Sequence, residues 1–109
     1  MKKLATLLTA AILTSLLAQA DELKIFKLTT KNGTFAPLVL EVPANEKFKL
    51  LITNEGSEAE EFESYELNRE KVVEPGQTIT VYLGPLSPGE YGYFGDFHRD
   101  TAKGTILAK

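Results

Sequence analysis

Cysteine and tryptophan are absent from the 109 residues, and histidine and methionine occur once each, as His98 and Met1. Without cysteine there can be no disulfide. In a small domain, a closed sheet architecture or a bound metal could supply part of the stability that disulfides would otherwise give. The same absence excludes a lipid anchor on cysteine and any thiolate-ligated metal centre. Long apolar runs are also missing: the only one, Leu4 to Leu17, is too short to span a bilayer comfortably. Positive charge is scarce beyond residue 20. Twelve Lys and Arg less Lys2 and Lys3 leaves ten, against fifteen Asp and Glu, a balance of −5. That balance argues against nucleic acid or anionic lipid as a partner and favours cations. No Ser–His–acid spacing, phosphate-binding loop or paired-histidine metal motif is present, so the chain does not read as an enzyme.

The first twenty residues have the form of an export signal. Lys2 and Lys3 form a positive start, Leu4 to Leu17 an apolar stretch, and Ala18-Gln19-Ala20 a small-x-small cleavage pattern. Residues 1–20 are expected to be removed, leaving residues 21–109 as one domain starting at Asp21. The compact leader points to a bacterial periplasm, with no membrane insertion after cleavage. The remaining 89 residues suffice for one modest core that buries about two thirds of the chain's surface.

Short strand signals fill that domain. Leu23 to Thr30, Leu38 to Val42, Lys47 to Thr53, Lys71 to Val73, Thr78 to Leu83, the segment from Tyr91 and Thr105 to Leu107 are rich in β-branched, aromatic and aliphatic residues. Lys47 to Thr53 sets Phe48, Leu50 and Ile52 on one face. Turns are marked by Asn32-Gly33, Pro43-Ala44-Asn45, Pro75-Gly76 and Pro88-Gly89. Asn32-Gly33-Thr34 also matches a glycosylation sequon, which a bacterial leader makes a chance match. Seven or eight short strands with turns every 8–12 residues and no helix predict an all-β sandwich or barrel.

Two stretches carry candidate chemistry. In Glu61-Phe62-Glu63-Ser64, an extended chain would point Phe62 at the core and set Glu61 and Glu63 together on the opposite face. Between Tyr93-Phe94 and the last strand, Asp96, His98 and Asp100 alternate along a short loop. Carboxylates with one imidazole suit Fe(III), Cu(II) or Mn(II) better than Cu(I), and carboxylates held close repel unless a cation or proton lies between them. Blander readings stand beside this one. The Glu-rich patch from Glu55 can be a solvated loop, Glu63 a surface partner of Arg69 or Arg99, Asp96 a loop cap, and His98 a ring stacked on Tyr93 or Phe97.

The ordered set of Val42-Pro43-Ala44-Asn45, the strand ending in Asn54, Pro75-Gly76, Pro88-Gly89-Glu90-Tyr91 and Lys103-Gly104-Thr105 resembles the cupredoxin superfamily across residues 21–109. The resemblance implies a cupredoxin-like Greek-key β-sandwich. Its blue-copper ligands do not carry over. The first histidine falls in the neighbourhood of Glu60-Glu61-Phe62, the cysteine at Gly95 and the methionine within Thr101 to Lys103. Only His98 stands at a family ligand position, so blue-copper electron transfer is not expected. Glu61-Phe62-Glu63-Ser64, Leu67-Asn68-Arg69-Glu70-Lys71-Val72-Val73 and Phe94-Gly95-Asp96-Phe97-His98 look like the EfeO-type cupredoxin-like group, small periplasmic domains associated with iron uptake. That likeness implies a copper or iron ion held by carboxylates, and an inner-membrane iron permease or another periplasmic iron-uptake component as partner. It also implies that the strand bearing Glu61 and Glu63 approaches the loop bearing Asp96, His98 and Asp100, which makes these five the candidate ligands. A metal-free interaction module on the same scaffold is the competing reading, because fold alone does not decide function.

Overall fold

The structure, a computed structural model, describes residues 22–109. The expected leader, its cleavage site and Asp21 lie outside the described residues. Nine strands follow in order: β1 (Lys24–Thr30), β2 (Phe35–Ala36), β3 (Val39–Val42), β4 (Phe48–Asn54), β5 (Glu60–Ser64), β6 (Arg69–Val73), β7 (Thr78–Leu83), β8 (Gly89–Gly95) and β9 (Lys103–Ala108). A single 3₁₀ turn, Asp96–His98, separates β8 from β9. The strand beyond the expected seven or eight is the two-residue β2, which pairs antiparallel with Thr29 and Thr30. Two residues are too few to carry an alternation signal.

The strands form a four-stranded sheet in the order β2-β1-β4-β7 and a five-stranded sheet in the order β3-β9-β8-β5-β6. β1 with β4 and β3 with β9 pair in parallel, so the chain must cross between sheets rather than turn back on itself. Turns fall where the sequence marks them, with Asn32 and Asn45 at positive φ and Gly76 at φ 77 after Pro75, and a further turn not marked in the sequence puts Asn68 at positive φ. Asparagine tolerates the left-handed region better than other non-glycine residues, and glycine enters it freely.

The core lies between the sheets. β4 buries Phe48, Leu50 and Ile52 on its inner face, as its alternation predicts. Leu28, Val81 and Ile106 pack with them. At the end of the sandwich nearest the 3₁₀ turn the filling is aromatic. Phe35 meets Phe62 and Tyr93 edge-on, with centroids 6.3 and 5.1 Å away, an arrangement suited to ring quadrupoles. Asn54 ends β4 buried, and its amide nitrogen bonds the carbonyls of Glu58 and Val73 at 2.8 and 3.0 Å. Its oxygen accepts from the Gly56 N–H at 2.9 Å. This one side chain fixes the loop that delivers β5.

Candidate metal centre

Strand alternation decides what β5 presents. Glu60, Phe62 and Ser64 are buried, while Glu61 and Glu63 are half-buried on the outer face of the five-stranded sheet. Register places Glu63 between Glu70 of β6 and Phe94 of β8. β8 ends at Gly95, and the 3₁₀ turn that follows brings Asp96 beside them. One carboxylate oxygen from each of Glu61, Glu63 and Asp96 lies within 4.8 Å of the other two. Partial burial, then the charge of Glu70, then the bond and charge of Asp96 and the charge of Glu63, push the Glu61 carboxyl from 4.5 up to about 7. Asp96 already has a cation: the Arg99 Nε donates to its Oδ1 at 2.6 Å and a terminal guanidinium nitrogen pairs with the same oxygen. The Arg99 guanidinium also lies over the Phe94 ring, 5.0 Å from its centroid.

His98 is not in this triad. Its Nδ1 lies 2.6 Å from Oε2 of Glu60 and its Nε2 3.4 Å from Oε2 of Glu58. The Glu60 bond is the first cause that holds the imidazole above its ordinary 6.5, with Glu58 adding to it against the effect of desolvation. Asp100 is exposed in the turn beyond and is in neither group. The structure thus brings together three of the five expected residues, Glu61, Glu63 and Asp96, and sets His98 in a second cluster. The surface pairing considered for Glu63 is not found among the described residues. Arg99 pairs with Asp96, and the Arg69 guanidinium bonds the carbonyls of Leu67, Asn68 and Tyr82.

Sequence reasoning passed over Glu60. It is 1 % exposed, and its Oε1 accepts the N–H groups of Glu61 at 3.0 Å and Phe97 at 2.9 Å while Oε2 faces His98. No buried side-chain polar atom among the described residues lacks a partner. The signal was available: if Phe62 points inward on an extended strand, so does Glu60 two residues earlier.

A family model for the Cupredoxin-like domain matches residues 4–108. The chain belongs to this cupredoxin-like family. An uncharacterized protein of Rickettsia prowazekii (strain Madrid E) is 47% identical over 87 residues, covering 80% of this chain and 70% of the relative. Among solved structures, auracyanin A, a blue copper protein of Chloroflexus aurantiacus, superposes with a TM-score of 0.67 at 11% identity over 81% of this chain and 100% of that one. The periplasmic domain of subunit II of cytochrome oxidase of Bradyrhizobium japonicum gives 0.66 at 12% identity over 79% and 83%. At these identities the structural likeness is one of fold. A blue-copper centre does not fit this cupredoxin-like chain. It has no thiol, and a Cβ built on Gly95 would stand 2.7 Å from both Glu60 carboxylate oxygens, so that carboxylate fills the space a side chain there would need.

Proposed function

We propose that this cupredoxin-like domain binds a metal ion on the outer face of its five-stranded sheet, through Glu61, Glu63 and Asp96. The observation that carries the reading is the convergence of three half-buried carboxylates, from β5 and from the 3₁₀ turn, within 4.8 Å of one another. Such a set repels itself when metal-free, and a cation relieves the repulsion. With His98 outside the triad, the donors are all oxygen, which favours hard cations such as Mn(II) or Fe(III) over Cu(I) and makes Cu(II) a weaker fit.

The role is binding rather than catalysis, in the periplasm, as an accessory to iron uptake beside a permease or another periplasmic component. What supports it is the likeness of Glu61–Ser64, Leu67–Val73 and Phe94–His98 to the EfeO-type group, the export signal expected in residues 1–20 and the periplasmic setting of one structural neighbour. A metal-free interaction module is the second reading. It is favoured by the groove of about 500 Å³ beside the triad, walled by Tyr65, Phe94, Arg99 and Lys103 and floored by Gly92. Calorimetric titration of residues 21–109 with Mn(II), Fe(III) and Cu(II) separates the two. We expect one equivalent to bind and Glu63→Ala to weaken it about tenfold or more. Identical null titrations for parent and variant would leave the interaction module as the better reading.

A further inference from the structure

We infer that Glu60 ties β5 to the 3₁₀ turn at the end of the sandwich without a metal, and thereby positions the outer triad. The inference rests on the proposed metal site for its second half only. Three contacts converge on this one carboxylate: the Glu61 N–H, the Phe97 N–H and the His98 ring. They tie β5 to the 3₁₀ turn that carries Phe97 and His98. The carboxylate occupies the space that a side chain on Gly95 would need. Gly95 has φ −93, a value any residue can adopt. Glycine is required there for room, and Glu60 is what takes the room.

The consequence lies on the opposite face of the same strand. The two backbone groups that Glu60 holds belong to Glu61, itself in the triad, and to Phe97, which follows Asp96. Glu60 therefore sets the gap between Glu61 and Asp96 while pointing away from both. It is a positioning residue, comparable to the outer partners that orient metal ligands and whose loss commonly costs 10–100-fold in affinity.

Two experiments on residues 21–109 test this. In metal-free protein, Gly95→Ala should be strongly destabilising in the parent and nearly neutral beside Glu60→Ala, as a double-mutant cycle in urea reads directly. Equal losses in the two backgrounds would overturn the packing half. With metal, Mn(II) affinity should fall about 10–100-fold in Glu60→Ala and be largely restored in Glu60→Gln, whose amide oxygen still accepts the two N–H groups. Unchanged Mn(II) affinity in Glu60→Ala would overturn the positioning half. A parent that binds no metal at all would defeat the proposed function, and the metal-free cycle would then decide the Glu60 assignment alone.

Discussion

Glu61 and Glu60 are neighbours in sequence and opposite in environment, and each can be probed by pH. Partial burial and the acidic residues Glu70, Asp96 and Glu63 lift Glu61 from 4.5 to about 7. The folded chain thus keeps a proton that the unfolded chain releases. Below about pH 4.5 this group has no effect on stability; as pH rises from there to 7, its ionisation destabilises the fold. His98 acts in the same direction. Its raised pKa gives a stabilisation that is full below 6.5 and lost as pH climbs through the raised value. The metal-free protein should therefore unfold at lower urea at pH 8 than at pH 5. Glu61→Gln should remove part of that slope and leave the His98 part. An unchanged slope in the variant would mean that Glu61 titrates normally. The outward pair Glu61 and Glu63 was legible in the sequence because Phe62 fixes the parity of the strand. The partner of His98 was not, because nothing in a sequence says which of four nearby acids, Glu58, Glu60, Glu61 or Glu63, a loop will reach.

At the level of strands, the open seam between the two sheets shows how side chains replace a missing ladder. β7 is an edge of the four-stranded sheet and β6 an edge of the five-stranded one. The Arg69 Nε and Nη2 donate to the Tyr82 carbonyl at 3.2 and 3.1 Å, and the Lys71 Nζ donates to the Thr80 carbonyl at 3.0 Å. Cations from one edge cover acceptors on the other, a means of blunting edges against pairing with another chain. The double variant Arg69→Ala, Lys71→Ala should lose less than about 2 kcal/mol of stability, since both side chains are exposed. It should self-associate in sedimentation at concentrations where the parent is monodisperse. A variant that sediments like the parent would assign the edge protection elsewhere. Strand existence, β2 apart, was readable from composition and turns, and the inner face of β4 was read residue by residue. Pairing across the seam was not, because Arg69 and Lys71 look like any solvated charges until the facing strand is known.

For the molecule as a whole, the all-β architecture follows from short alternating segments punctuated by Asn, Gly and Pro, and the ordered turns carried the family resemblance. At the end of the sandwich a carboxylate–imidazole contact fills the space beside Gly95, and a second group of carboxylates gathers on the outer face. The proposed metal site lies on this outer face rather than at His98. Anomalous diffraction from crystals of residues 21–109 grown with Mn(II) tests it most directly. We expect a single anomalous peak bridged by oxygens of Glu61, Glu63 and Asp96, with His98 still bonded to Glu60. A peak on His98, or occupied metal sites that leave the triad empty, would contradict it.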